Sequence, residues 1–221
     1  MKPYLFLHIP RTGGTSIANI LPAGRTTDVK INKLISDGKR INMDSTSKHS
    51  TNKGISFQHA IIDEYQVSEN ELFTFTFVRN PWDRVVSIFE HQINNCGLEF
   101  IVGDDKITKF RTFISLVKWL WEEDLLKYEL DGHLRPQILY THKNGKQIVD
   151  FYGRYENMSE DLKNLSKMCE FNFENVSIPS INKSNDRFSE YKNYYSIGNG
   201  VMKSIVNELY REEIELYGYE F

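Results

Sequence analysis

His8-Ile9-Pro10-Arg11-Thr12-Gly13-Gly14-Thr15, residues 8–15, decides how the chain begins to fold. An apolar run, Tyr4-Leu5-Phe6-Leu7, precedes it, and Ser16-Ile17-Ala18-Asn19-Ile20-Leu21 follows as a helix start. The pattern predicts a strand over 4–8, a glycine turn, and a helix over 14–21. That geometry suits a phosphate-like anion. The turn aims several backbone N–H groups at one point, and the helix N-terminus adds about half a positive charge. Gly13 and Gly14 permit close approach and a positive φ. Thr12, Thr15 and Ser16 offer hydroxyl donors, and Arg11 offers a planar, permanent cation. The stretch is not the nucleotide-triphosphate loop G-x-x-x-x-G-K-[ST], because the cation comes before the glycines and no Lys follows them. A Gly-Gly turn between strand and helix also forms without binding anything, so these residues alone leave both readings open.

A second stretch narrows the choice. Leu72-Phe73-Thr74-Phe75-Thr76-Phe77-Val78 is a β-rich run with aromatic alternation, and it ends in Arg79-Asn80-Pro81-Trp82-Asp83-Arg84. Asn80 suits an N-cap, Pro81 the first helical position, and Asp83 the first turn, where the dipole favours a carboxylate. Val85, Val86, Ile88 and Phe89 continue a helix with a broad apolar face. Arg79 is thus expected at the carboxyl end of a strand, with Ser87 about two turns along the next helix. In open α/β sheets, ligands bind at that strand end.

Together the two stretches resemble the PAPS-dependent sulfotransferases (PAPS is 3′-phosphoadenosine 5′-phosphosulfate), nearest to the branch of Golgi carbohydrate sulfotransferases and their bacterial relatives. In that family a loop similar to H-x-P-K-T-G-G-T-S binds the 5′-phosphosulfate. A second motif similar to F-x-F-V-R-[ND]-P-x-x-R-x-x-S supplies an Arg and a Ser to the 3′-phosphate. The resemblance implies those roles for residues 11–16 and for Arg79 and Ser87. It extends to Tyr152-Gly153-Arg154-Tyr155-Glu156-Asn157 with Asp161, to Ile181-Asn182-Lys183-Ser184 with Tyr194-Tyr195, and to the ending Leu216-Tyr217-Gly218-Tyr219-Glu220-Phe221. Gaps remain at about 24–54 and 96–130. One departure stands out: the family usually has Lys where this chain has Arg11. That Lys is held to follow the bridging oxygen as charge develops on the leaving phosphate, whereas Arg brings a bulkier, fixed fork.

Bulk properties agree with one α/β domain over residues 1–221. With 40% hydrophobic and 26% charged residues the chain has the composition of a globular protein with a proper core. A net charge of -3 provides no global field for nucleic acid. From Gly24 to Gly54, seven Lys or Arg stand against three Asp, a local +4 in a polar, mobile segment that reads either as a solvated surface loop or as a face toward an acidic substrate. Cys96 and Cys169 lack metal-ligand spacing and read as reduced thiols. No run has the length of a membrane span, and no signal-peptide pattern precedes the strand at Tyr4. The Golgi members of the family carry a membrane anchor. Without one, the chain reads as a cytoplasmic protein of a microbe or virus.

The remaining elements are expected as follows: an insertion over 96–109 with a turn at 103–105, a helix over 110–128, a short helix over 133–139, a buried strand over 149–153, a helix over 158–169, and a last helix over 200–217 stopped by Gly218. Strands separated by helices imply a P-loop-like α/β fold with a central, mainly parallel sheet flanked by helices.

The resemblance also implies the chemistry. His59, in Phe57-Gln58-His59-Ala60, occupies the family's place for a catalytic base, and an imidazole with an unperturbed pKa of about 6.5 suits that task. Arg11 is the cation at the leaving group. Lys183 and Ser184 belong to a late loop implied to close on the 3′-phosphate side. His133 and Gln137 fall in an H-x-x-P-Q-like segment implied to lie near the acceptor. His8 and Glu156 are read as structural. The activity implied is sulfuryl transfer from PAPS to a carbohydrate hydroxyl, releasing adenosine 3′,5′-bisphosphate, with no metal. A P-loop kinase-like enzyme and a catalytically weak module that binds the bisphosphate are the alternatives.

Overall fold

Alternation in Phe73-Thr74-Phe75-Thr76-Phe77-Val78 makes the middle strand of the principal sheet in the computed structural model. The structure describes residues 4–21, 61, 73–95, 99–102, 106–109, 112–122, 134–168 and 190–221. In chain order the elements are β1 (Tyr4–Phe6), α1 (Gly14–Ile20), β2 (Phe73–Val78), α2 (Pro81–Asn95), β3 (Glu99–Val102), β4 (Lys106–Lys109), α3 (Phe113–Glu122) and α4 (Ile138–Thr141). There follow β5 (His142–Lys143), β6 (Lys146–Gln147), β7 (Phe151–Arg154), a 3-10 turn (Tyr155–Asn157), α5 (Met158–Met168), α6 (Tyr191–Tyr194), α7 (Val201–Leu209) and α8 (Arg211–Tyr217). They fall into two units, one of Met1–Val78 with Gln137–Asn182, the other of Arg79–Pro136 with Lys183–Phe221.

The first unit holds the expected parallel sheet, in the order β1-β2-β7. Tyr4 pairs with Phe73, Phe6 with Phe75, Phe75 with Phe151, and Val78 with Arg154. The phenylalanine face of β2 packs with Tyr4, Phe6, Ile17, Leu21, Leu162 and Leu165, so α1 and α5 cover it. The threonines on the other face are buried and hydrogen-bonded to neighbouring segments. Thr76 Oγ1 donates to Leu7 O at 2.6 Å. Thr74 N and Oγ1 both donate to Asp150 Oδ2, at 2.7 and 3.0 Å.

β1 stops at Phe6, two residues short of the expected end. Leu7 N still donates to Phe75 O, but Ile9 N turns back to Leu7 O, and this bends the chain out of the ladder. The strand expected at 149–153 begins at Phe151, because Asp150 is held by Thr74 as a clamp. Gly153 lets α5 lie close on β7: a Cβ there would stand 2.5 Å from Phe77 and 2.9 Å from Asp161. Asp161 Oδ2 accepts Arg154 N at 2.6 Å and so finishes the strand. Ahead of β7, β5 and β6 form a hairpin around Asn144 (φ 51) and Gly145 (φ 73), the backbone of a two-residue primed turn.

The second unit is built on α2. Asn80 Oδ1 accepts Trp82 N at 3.1 Å and Asp83 N at 3.3 Å, which is the expected N-cap, and Pro81 opens the helix. The apolar face of α2 (Trp82, Val85, Val86, Ile88, Phe89) packs with Phe113, Leu116, Val117 and Leu120 of α3 and with Met202, Val206, Tyr210 and Ile214. The span expected as an insertion at 96–109 holds the antiparallel pair β3–β4. The single helix expected over 200–217 is two helices, α7 and α8, with Tyr210 at φ -115 between them. Tyr210 is anchored by its hydroxyl to Leu134 O at 3.1 Å. Gly218, at φ 63, ends α8 as expected. Among the described residues, no helix is long and apolar enough to cross a membrane.

Replacing Thr76 by Val keeps the shape and removes a buried donor. The expected loss is about 1–2 kcal/mol in urea unfolding, with an unchanged m value. A midpoint equal to wild type would show that the hydroxyl does not hold β1 to β2.

Candidate functional site

After Ile9 the chain turns through Pro10–Gly13 before α1 begins at Gly14. Two residues of this turn are left-handed, Arg11 at φ 67 and Gly13 at φ 81. The second suits glycine. The first is an L-residue in a conformation that costs about 1–2 kcal/mol, so the surrounding loop must enforce it. Thr12 does part of that work: it is buried, and its Oγ1 donates to Ile9 O at 2.9 Å. Gly13 is the N-cap of α1, and no side chain caps the helix there. A left-handed Gly13 followed by helical Gly14 turns successive N–H groups to one concave side, the backbone arrangement that receives anions.

Both glycines also lie against neighbouring side chains. A Cβ on Gly13 would overlap the Met158 methyl and lie 3.1 Å from the Tyr155 ring. A Cβ on Gly14 would overlap the imidazole of His8. His8 is buried and stacks on Phe6 with centroids 5.7 Å apart, beside Gly14. Thr15 is half-buried and Ser16 buried at the start of α1, which carries the loop hydroxyls forward from the strand end.

In the second unit, Arg79 directly precedes the cap of α2 and is largely buried. Asp83 holds it from one turn on: Oδ2 accepts Arg79 Nε at 2.8 Å and pairs with Nη2 at 2.6 Å. A single carboxylate oxygen engaging two guanidinium nitrogens fixes the plane of the fork. Ser87, also buried, follows Asp83 by one further turn on the same helical face. Sequence reasoning assigned Asp83 to the helix dipole only. The i, i+4 spacing from Arg79 was the signal for the pair.

Arg84, the last residue of the same motif, has a different task. It is 1% exposed, and its Nη2 donates to Arg135 O at 3.0 Å. Tyr210 and Glu213 are buried near it, and burial pushes the Tyr210 phenol well above its ordinary value, with Arg84 opposing and Glu213 adding to the shift. Gln137 is fully buried at the N-cap of α4, in the first unit. His59, His133, Lys183 and Ser184 lie outside the described residues, as does the 24–54 segment. Among the described residues, no group of three or more His, Cys, Asp or Glu side chains could hold a metal ion.

Comparison with known proteins adds two findings. The profile described as the Sulfotransferase family matches residues 2–220. An uncharacterized protein of Archaeoglobus fulgidus is 35% identical over 96 residues, which is 42% of this chain and 63% of that protein. The chain thus spans somewhat less than two thirds of the length of that relative. No solved structure matches.

The packing of the loop gives a direct test. Gly14→Ala should destabilise the fold by about 1–3 kcal/mol through overlap with His8. Adding His8→Ala in the same chain should recover a large part of that loss in a double-mutant cycle. Strictly additive losses in urea unfolding would show that the imidazole does not back the glycine.

Proposed function

The chain belongs to the sulfotransferase family, and from that premise we propose that it moves a sulfuryl group from PAPS to a hydroxyl of a carbohydrate acceptor. The observation that carries the reading is the turn at the end of β1, with left-handed Arg11 and Gly13 and with Gly14 packed against the His8 ring. Its backbone suits a sulfate or phosphate, and its cation is fixed in sequence beside the glycines. The pair of Arg79 and Asp83 supports a second anion subsite, because the guanidinium is already oriented before any ligand arrives.

When bound, PAPS would supply the sulfuryl group and depart as adenosine 3′,5′-bisphosphate. In this reading residues 11–16 hold the 5′-phosphosulfate, and Arg79 and Ser87 hold the 3′-phosphate, with Lys183 and Ser184 closing on that side. The acceptor oxygen forms its bond to sulfur as the sulfur–oxygen bond to the bisphosphate breaks. His59 takes the acceptor proton, and the Arg11 guanidinium balances charge on the departing oxygen. Arginines and helix N-termini supply positive charge at both anionic ends, so the proposal includes no metal. His133 and Gln137 are assigned to the acceptor side. For Gln137, full burial favours shaping that side over touching it. The proposal places the protein in the cytoplasm, as one functional domain.

Two measurements test this. Adenosine 3′,5′-bisphosphate at a hundredfold excess over its Kd should stabilise the protein by about 2.7 kcal/mol, visible as a rise in Tm of several degrees. Arg79→Ala should remove most of that rise, and a wild type that does not respond at saturation would overturn the donor assignment. In a sulfate-transfer assay on a glycan panel, His59→Ala should lower turnover by about 10²–10⁴-fold. Undiminished transfer would remove His59 as the base, and no transfer by wild type would favour a module that only binds the nucleotide.

A further inference from the structure

We propose that Glu220 and Phe221 form a latch that positions Arg79. The inference rests on the assignment of Arg79 to the 3′-phosphate made above. Its starting point is Asn80, whose amide is used at both ends. Asn80 Nδ2 donates to Glu220 O at 2.9 Å, while Oδ1 accepts the N–H groups of Trp82 and Asp83. Rotating the amide by half a turn would set NH₂ against two donors and oxygen against a carbonyl. The two N–H groups set which way the amide faces, and the Glu220 carbonyl anchors its other end. The capped turn carries Asp83, and Asp83 carries the guanidinium of Arg79.

Phe221 holds that carbonyl in place. Its ring meets Trp82, Tyr191 and Tyr195 edge-on, at centroid distances of 5.6, 5.7 and 5.5 Å. Lys203 Nζ stands 4.1 Å from the ring centroid, and Lys192 Nζ donates to Phe221 O at 3.2 Å. The cage is itself tied to α2: Tyr195 Oη donates to Trp82 O at 2.9 Å, and Trp82 Nε1 donates to Lys203 O at 3.4 Å. Glu220 and Phe221 lie beyond the helix stop at Gly218, so no helical hydrogen bonds hold them. The aromatic cage supplies that order, and it is spent on the one turn that orients Arg79.

The test compares two nucleotides by titration calorimetry, adenosine 3′,5′-bisphosphate and adenosine 5′-monophosphate, which lacks the 3′-phosphate. Wild type should strongly prefer the bisphosphate. Phe221→Ala and Asn80→Ser should each lower that preference about tenfold, through misplacement of the guanidinium, and leave the monophosphate affinity unchanged. Phe221→Tyr should restore it. Asn80→Ser keeps a good helix cap, adds no charge and loses the amide donor to Glu220, so it reports even if Phe221→Ala does not fold. Equal weakening of both nucleotides, or a preference untouched in both variants, would overturn the latch. A wild type indifferent to the 3′-phosphate would overturn the assignment of Arg79 itself, and the latch with it.

Discussion

Parallel pairing of Tyr4–Phe6 with Phe73–Phe75 is the constraint on which the first unit depends. It sends the chain out of β1 and β2 on the same side of the sheet. One exit becomes the glycine turn and the other leads into Arg79. The pairing is reinforced by a side chain as well as by the ladder, since Thr76 reaches across to Leu7 just where β1 leaves the sheet. A strand of three residues has few ladder bonds of its own, so this hydroxyl and the phenylalanine face beneath do much of the holding.

Buried charge is handled differently in the second unit. Arg84 is almost wholly buried, and Glu213 and Tyr210 are buried with it. A guanidinium in that position is tolerable only when its hydrogens are satisfied, and the carbonyl of Arg135 accepts one of them. Tyr210 takes the neighbouring carbonyl of Leu134. Two adjacent peptide groups are thus secured by side chains from α2 and from the α7–α8 junction. This use of polar groups fixes backbone that belongs to neither helix nor strand.

What the sequence revealed follows from how local each signal is. Strand alternation in 73–78, the Asn80 cap, the glycine stop at 218 and the Gly13-Gly14 turn are each encoded within a few neighbouring residues, and each is present in the structure. The kink at Tyr210 was not legible, because no proline or glycine marks it and the bond that anchors the residue reaches a partner 76 residues away. The clamp of Asp150 on Thr74 was hidden for the same reason. The β5–β6 hairpin was a missed local signal, since Asn-Gly is the strongest short-range mark of such a turn. At the candidate site, the loop and Arg79 were readable from motif spacing. The partners that hold them rigid (Tyr155, Met158, Asp83, Glu220) depend on packing and register.

The Asn144-Gly145 turn has a chemical consequence of its own. An asparagine followed by glycine meets little steric resistance when the next peptide nitrogen attacks its side-chain carbonyl and expels ammonia. The resulting cyclic imide opens to aspartate or to isoaspartate, which carries one extra carbon in the main chain. In a two-residue turn that carbon lengthens the link between Lys143 and Lys146, the pair next to the turn. The hairpin is exposed, so this reaction there would place a new negative charge between Lys143 and Lys146.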